Sequence, residues 1–354
     1  MPEDVGWATR GLDYEPPEID TSKAHMARVY DYLLGGKDNY PPDREAVEQL
    51  LKIVPSLPET VRENRLFMQR LTRYLAAEEG ISQFLDIGTG IPTSPNLHEI
   101  AQRVNPAARV VYVDNDPIVL AHAHARLTSA PLGRVAYIHA DMRDTKSVLT
   151  APDLTATLDL SRPVGLFILS TLHIIPDADE ARELLGRYVA PLASGSFVAL
   201  SVAISDGLTP QASNEAIAVL SKRGISILRR TRAELTSLFD GLELIEPGVV
   251  PVSQWRPDAG TPAEDHGADD LGCGVARKPL RAPETSMPQA RRQQLAGCLT
   301  THLRRWLLAA CGPLASPCWP PPDWAFLLGP GLRCPGPSRK TATSPRRRSC
   351  TAAW

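Results

Sequence analysis

The stretch that decides the fold is Phe84-Leu85-Asp86-Ile87-Gly88-Thr89-Gly90. It begins as a short, mostly apolar strand and ends in two glycines ahead of a helical segment. Because glycine has no Cβ, the backbone can turn sharply at Gly88 and Gly90, and a ligand can approach it to contact distance. In open α/β sheets, ligands bind beyond the carboxyl ends of the strands, where this turn lies. We therefore predict a binding site here.

Short apolar runs alternate with helical segments on the carboxyl-terminal side of this stretch. Strands that are apolar on both faces and separated by helices predict an α/β fold with a parallel sheet covered on two sides. Segments 242–245 and 272–276 predict a final antiparallel pair. The other predicted strands are 110–113, 135–138, 164–169 and 197–202, and the predicted crossover helices are 97–104, a segment opened by Asp116-Pro117, and 181–188.

Residues 20–79 read as a helical cover ahead of the sheet at 80–279, because their apolar residues recur with helical spacing. The first helix is expected to stop at Gly35-Gly36, and a later helix to end at Gly241. The first helix is expected to begin with a cap among Asp20, Thr21 and Ser22, and the second helix to begin after Asp43. Capping boxes at Thr60-x-x-Glu63 and Thr231-x-x-Glu234 predict two further helix starts.

The distribution of charged residues and of cysteines changes near Pro279. All six cysteines lie at or after Cys273, and residues 280–354 hold eleven basic and two acidic residues, a net charge of +9. Since the whole chain carries −2, residues 1–279 carry −11. An acidic, nearly cysteine-free body argues against a disulfide scaffold, a thiolate zinc site and a nucleic-acid partner. His122 and His124 are two apart on a helix and face different sides, so we predict no metal site.

The two ends of the chain differ from its body. Residues 1–19 are polar and predict a flexible lead-in, and residues 280–354 hold eleven of the 33 prolines and predict a disordered or aberrant extension. No run approaches the roughly 18 apolar residues of a membrane span, and the start has no signal-peptide pattern. We therefore expect a cytoplasmic protein without a membrane partner.

Acidic residues follow three successive predicted strands. Asp86 precedes the glycines, Asp114 comes 24 residues after Gly90, and Asp141-Met142 ends the next strand. A carboxylate at the second position can accept hydrogen bonds from both hydroxyls of a ribose. At the third position, a carboxylate beside an apolar side chain can hold an adenine amino group and cover the ring. Together they predict a site for an adenosine group.

The loop chemistry narrows the choice of adenosine ligand. A dinucleotide fingerprint needs a third glycine where Thr93 stands, and the chain has no phosphate-binding P-loop. Asp86 would repel a pyrophosphate but attract an ammonium group. This favours S-adenosylmethionine over a nicotinamide nucleotide. A nucleotide-dependent oxidoreductase and a non-catalytic S-adenosylmethionine-binding regulator remain as alternatives.

The sequence resembles the S-adenosylmethionine-dependent methyltransferases, and more narrowly an actinobacterial subfamily long catalogued as of unknown function. The resemblance covers residues 18–279. Pro92 departs from the broad superfamily, which has its third glycine there. The motifs that carry the resemblance are residues 19–22, 27–32, 34–40, 62–65, 84–93, 111–117 and 275–279.

The resemblance implies a Rossmann-like class I methyltransferase fold, with a mostly parallel sheet and one antiparallel strand near its carboxyl-terminal end. It also implies methyl transfer from S-adenosylmethionine to a small-molecule acceptor. The cofactor-binding residues are then Asp86, Gly88, Thr89 and Gly90 for the methionine end, Asp114 and Asn115 for the ribose, Asp141 and Met142 for the adenine, and Ser170 at the same rim.

The block from Arg28 to Tyr40 is the best candidate for a lid or substrate pocket, because it combines tyrosines, a Gly-Gly hinge and charged residues. A base is needed only if the acceptor must lose a proton. His173 follows the fourth strand and could serve as that base, although a packed histidine is as good an interpretation. The lid or pocket candidates are Arg28, Tyr30, Gly36 and Asn39, and the catalytic candidates are His173, Tyr32 and Lys37.

Deleting residues 280–354 is expected to leave affinity for S-adenosylmethionine unchanged, because every predicted contact precedes this segment. Calorimetric titration of the truncated and full-length proteins measures this directly. A truncated protein that no longer binds would show that the segment belongs to the fold.

Overall fold

The computed structural model describes residues 19–119, 121, 130–258 and 270–280. Most of the predicted lead-in, His122, His124 and the extension beyond residue 280 lie outside the described residues. The helix predicted after Asp116-Pro117 is described only at its start, where 117–119 are helical.

The described elements follow the predicted alternation of strands and helices. The strands are β1 Gln83–Ile87, β2 Arg109–Asp114, β3 Arg134–His139, β4 Gly165–Leu169, β5 Phe197–Ala203, β6 Glu243–Leu244, β7 Val250–Pro251 and β8 Leu271–Arg277. The helices are α1 Met26–Leu33, α2 Pro41–Ile53, α3 Leu57–Ala77, α4 Leu97–Val104, α5 Thr145–Thr150, α6 Pro152–Thr157, α7 Ala178–Val189, α8 Pro210–Ser221 and α9 Arg232–Ser237, with 3-10 turns at Leu172–Ile174 and Val252–Gln254.

The strands form one mixed sheet in the order β3-β2-β1-β4-β5-β8-β6, with β7 also paired to β8. Strands β1 to β5 are parallel, whereas β8 runs antiparallel to β5 and to both short strands. This confirms the predicted α/β sheet and its antiparallel strand. Because the central strands are parallel, the loops that follow β1, β2, β3 and β4 meet at one edge of the sheet.

Side chains alternate between the two faces of the sheet, and both faces are covered. In β1, Phe84 packs in a cluster with α3 and α4, while Leu85 and Ile87 pack in a second cluster with α5, α6 and α7. All three side chains are fully buried. This two-sided burial explains why apolar residues on both faces dominate the central strands. None of the described helices has the length and apolar character needed to cross a membrane.

The amino-terminal helices divide between two layers. Helices α1 and α2 pack with α8 in a third apolar cluster that includes Val29, Val47 and Leu220. Helix α3 instead packs on the sheet through Phe67 and Leu71. We call α1 and α2 the cover.

Four expected helix boundaries are wrong. Helix α2 begins at Pro41, so Asp43 lies in its first turn rather than ahead of it. Helix α1 begins at Met26 with His25 as its N-cap, while Asp20 accepts a hydrogen bond from the Ser22 amide in a local turn. Helix α3 begins at Leu57, so Thr60 lies inside it; proline is favoured in a first helical turn, and Pro58 there fixes the earlier start. The Thr231-x-x-Glu234 capping box is present, but its helix ends at Ser237 rather than at Gly241.

Candidate functional site

A cavity of about 380 Å³ lies at the carboxyl edge of the sheet, between the four strand-end loops and the cover. Its walls also include part of α3 and the turn after α8. All nine residues predicted to bind the cofactor line this cavity: Asp86, Gly88, Thr89, Gly90, Asp114, Asn115, Asp141, Met142 and Ser170.

In the loop after β1, the missing side chains of Gly88 and Gly90 leave space for different groups. Both have positive φ, +73° at Gly88 and +69° at Gly90, which side chains rarely adopt. A Cβ at Gly88 would lie 2.4 Å from the Thr171 side chain, whereas a Cβ at Gly90 would meet no heavy atom within 4 Å. Gly88 therefore accommodates the protein itself, and Gly90 leaves its backbone open to a ligand.

Asp114 connects the loop after β1 to the loop after β2 through hydrogen bonds. Its Oδ2 accepts a hydrogen bond from the Gly90 amide at 2.8 Å, and its Oδ1 accepts one from the Asp116 amide at 2.9 Å. Burial raises the pKa of Asp114, and these two amides act against that rise. Each carboxylate oxygen has a second lone pair, so the side chain can still accept hydrogen bonds from ligand hydroxyls.

A part-buried carboxyl group, Asp86 of β1, lies in the cavity wall with the guanidinium of Arg65 from α3. Burial raises the pKa of Asp86 to about 7, although the Thr89 side chain and the Arg65 charge favour the ionised form. The Arg65 guanidinium donates hydrogen bonds to the carbonyl oxygens of Thr93 and, at 2.9 Å, Pro95. A carboxylate and a guanidinium in one wall of the cavity suit a zwitterionic ligand.

The third loop supplies a polar edge and an apolar surface. Asp141 is part-exposed, and its Oδ1 accepts a hydrogen bond from the Arg143 amide at 2.8 Å. Met142 is buried, and its carbonyl oxygen accepts a hydrogen bond from Tyr188 at 2.8 Å. This anchors the loop to α7, so that the carboxylate and the thioether stay side by side in the cavity wall.

Of the four residues predicted to form a lid or substrate pocket, only Tyr30 lines the cavity among the described residues. Arg28 is buried, donates to the Asp20 carbonyl oxygen at 3.1 Å and has its Nε 3.3 Å from Asp116 Oδ2. Its role in the structure is to anchor the cover to the loop after β2.

Gly36 and Asn39 belong to a turn built around Asp31. The Gly36 amide donates to the Asp31 carbonyl oxygen at 2.8 Å, and Asn39 Nδ2 donates to Asp31 Oδ2 at 2.9 Å. These bonds use the polar groups that made the block look like a substrate pocket. In this structure the polar groups of Arg28, Gly36 and Asn39 contact the protein itself, so their pocket roles stay predictions that this placement does not support.

The three predicted catalytic residues are not among the described cavity residues. His173 is 4% exposed, and burial together with the nearby Arg230 and Arg229 charges lowers its pKa to about 4. Tyr32 packs in the cover cluster and Lys37 is exposed. Their catalytic roles stay predictions, and this placement gives them no support.

Sequence reasoning missed four cavity residues: His25, Asn64, Arg65 and Met68. Asn64, Arg65 and Met68 lie one turn apart on α3, and the helical spacing that identified this helix could have placed them on one face. Asn64 is a buried polar residue in a mostly apolar helix face, which is itself a signal. His25 Nδ1 lies 2.9 Å from Asp116 Oδ2, a contact that no sequence pattern shows.

Replacing each glycine with alanine should separate their roles. Gly90→Ala should lower the free energy of unfolding by about 1–2 kcal/mol, the cost of a left-handed backbone for alanine. Gly88→Ala should cost about 1–3 kcal/mol more, because its methyl group also collides with Thr171. Chemical denaturation measures both values. Equal losses for the two variants would contradict the assignment of the Gly88 space to Thr171.

Comparisons with known proteins point to one family. A sequence model of the S-adenosyl methyltransferase family matches residues 13–279. A DUF574 family protein from Streptomyces avermitilis is 49% identical and has a TM-score of 0.71; the match covers 74% of this chain and all of that one. A proposed methyltransferase from Thermobifida fusca is 40% identical with a TM-score of 0.68, over 75% of this chain and 99% of that one. A comparison with curated proteins gave no match.

The match spans the helical cover and the whole described sheet, and it confirms the expected class I methyltransferase fold and its cofactor. It also sets aside the oxidoreductase alternative. The chain belongs to the S-adenosyl methyltransferase family and is an S-adenosylmethionine-dependent methyltransferase.

Proposed function

We propose that the cavity at the carboxyl edge of the sheet binds S-adenosylmethionine through the predicted residues and methylates a small-molecule acceptor. The observation that carries this proposal is that all nine predicted cofactor residues line one cavity. They come from four separate strand-end loops, so their meeting is a property of the fold rather than of one motif.

The methionine end of the cofactor fits between Asp86 and Arg65. Its ammonium group would pair with the part-buried Asp86 carboxylate, whose raised pKa reflects burial that nearby favourable charge only partly offsets. Its carboxylate would pair with Arg65. The open space at Gly90 lets the ligand contact the loop backbone.

The nucleoside end fits the next two loops. Asp114 and Asn115 would accept and donate hydrogen bonds at the ribose hydroxyls, and Asp141 would accept one from the adenine amino group. Met142 offers an apolar, polarizable surface to the ring. None of these contacts requires a phosphate, consistent with a loop that follows Asp86 and has Thr93 where a dinucleotide loop has its third glycine.

When bound, S-adenosylmethionine supplies a methyl group on a positively charged sulfur. The protein's part is to hold the two reactants in line and to keep water out of the cavity. Tyr30 and the start of α1 form the wall opposite the sheet. No described lining residue must take a proton if the acceptor atom can be methylated without losing one.

The size and composition of the cavity favour a small-molecule acceptor. The cofactor and the acceptor would share about 380 Å³, at the lower end of the roughly 300–1,000 Å³ of small-molecule sites. The walls beyond the proposed cofactor contacts are largely apolar. A body with a charge of −11 also disfavours a nucleic-acid acceptor. Apolar members of these remaining walls are Ala24, Met26, Ala27, Ile174 and Ile225.

The direct test is calorimetric titration with S-adenosylmethionine and S-adenosylhomocysteine, followed by incubation of the protein with labelled cofactor and metabolite extracts. We expect binding of both compounds and label transfer to a small molecule. Asp114→Ala should weaken binding by about 1–3 kcal/mol through lost charge-assisted hydrogen bonds. Binding without transfer to any extract would favour the regulator alternative, and label found only in nucleic acid or protein would contradict a small-molecule acceptor.

Cofactor affinity should increase with pH through the titration of Asp86. In the ligand-free protein its pKa is about 7, so the carboxyl group is protonated below that pH and must lose its proton to pair with an ammonium group. Affinity for S-adenosylhomocysteine should therefore rise by up to about tenfold per pH unit below about pH 7 and level off above it.

Asp86→Asn provides the control for this titration, because the amide cannot ionise. The variant should bind more weakly at pH 8 and show a flatter dependence on pH. An equally steep dependence in Asp86→Asn would show that another group is responsible.

A further inference from the structure

Three side chains and one backbone amide form a hydrogen-bonded chain behind and beside the cavity. We call it the relay, and its members are the Ser170 amide and the side chains of Ser201, Asn64 and Tyr30. Ser201 Oγ donates to Asn64 Oδ1 at 2.7 Å, and Asn64 Nδ2 donates to Tyr30 Oη at 3.0 Å. Tyr30 in turn donates to the Val61 carbonyl oxygen at 3.1 Å. At the other end, the Ser170 amide donates to Ser201 Oγ at 2.8 Å.

Donors and acceptors match at every bond of the relay. The Ser170 amide can only donate, so Ser201 Oγ accepts there and has its own hydrogen available for Asn64 Oδ1. The Asn64 amide group faces Tyr30, whose hydroxyl accepts from it and donates to the Val61 carbonyl oxygen.

The relay connects parts of the chain that are far apart in sequence. Tyr30 lies in the cover, Asn64 in α3, Ser201 in β5 and Ser170 just beyond β4. Three of its members line the cavity, whereas Ser201 is fully buried behind them. Asn64 is the centre, since both ends of its amide are used and it is only 4% exposed.

Ser170 needs such support. Its φ is +53°, a strained value for a residue with a side chain, and its amide is held by both the carbonyl oxygen and the hydroxyl of Ser201. Backbone strain of this kind persists only where surrounding contacts enforce it, and it concentrates at binding sites. The next residue, Thr171, packs against Gly88 of the glycine loop.

We propose that Asn64 is a positioning residue that fixes Tyr30 of the cover and the strained Ser170 turn relative to each other, and so sets the shape of the cofactor cavity between them. The inference rests on the proposed function, because it assumes that the cofactor occupies this cavity. Asn64 acts here through its two neighbours rather than through contact with the reacting atoms.

The test compares binding of S-adenosylhomocysteine to the full-length protein and to Asn64→Ala, Tyr30→Phe and Ser201→Ala. Each change leaves a buried partner unpaired, and we expect Asn64→Ala to weaken binding by about tenfold or more. Tyr30→Phe keeps the ring and removes only the hydroxyl, so it remains informative if Asn64→Ala folds poorly.

Tyr30→Phe and Ser201→Ala also form a double-mutant cycle. The two side chains have no hydrogen bond to each other in the structure, and each is bonded to Asn64. If the relay acts as a unit, the double variant should lose clearly less affinity than the product of the single losses. Additive losses, within about twofold, would overturn the proposal.

Gln83→Ala is the matched control. Gln83 is also a buried amide with two hydrogen bonds, donating to the Asp159 carbonyl oxygen at 3.0 Å and accepting from the Asp159 amide at 2.7 Å. It begins β1, at the edge of the sheet opposite the cavity. The Gln83→Ala variant should lower the melting temperature about as much as Asn64→Ala does. Its affinity for S-adenosylhomocysteine should stay within about twofold of that of the unmodified protein.

The outcomes separate the two proposals. If the unmodified protein does not bind S-adenosylhomocysteine, the proposed function fails and the role of Asn64 falls with it. If it binds and Asn64→Ala and Tyr30→Phe bind equally well, the relay proposal alone is overturned. A loss of affinity in Gln83→Ala as large as that in Asn64→Ala would also overturn it, because general destabilisation would then explain both.

Discussion

The carboxylate of Asp114 is the contact on which the cavity depends. It accepts hydrogen bonds from Gly90 and from Asp116, so one side chain sets the relative position of the loops after β1 and β2. Asp116 lies in turn against Arg28 and His25 of the cover. A single buried acid therefore links the glycine loop, the second strand end and the helical layer above them.

This arrangement concentrates negative charge in a place that water reaches poorly. Burial raises the pKa of Asp86 and of Asp114, which measures the cost of holding both as anions in the ligand-free protein. A ligand with an ammonium group and a cationic sulfur removes part of that cost. A ligand with a pyrophosphate would increase it, and so electrostatics favours the family's cofactor over a dinucleotide.

The strands, their order of appearance and the glycine loop were predictable from sequence because each depends on local pattern. A strand such as 110–113 is apolar on both faces, and this pattern is visible in the sequence whichever helices pack on the strand. Helix boundaries were less predictable. The Thr60 capping box and the Asp20 cap are valid local signals, but Pro58 and the hydrogen bond from the Ala27 amide to the His25 ring decide the actual starts.

The cavity residues at the ends of the strands were predictable from sequence, whereas those that the helices contribute were not. Arg28, Gly36 and Asn39 are polar residues in a short block, which resembles a substrate pocket, yet their polar groups are used inside the cover or against Asp116. Asn64 shows the opposite case, because α3 has many polar residues and the sequence does not show which of them bonds to two other elements. The two cases differ in the groups that the polar side chain contacts. A polar group bonded within its own element stabilises that element, whereas one bonded to two other elements beside a cavity fixes the cavity between them.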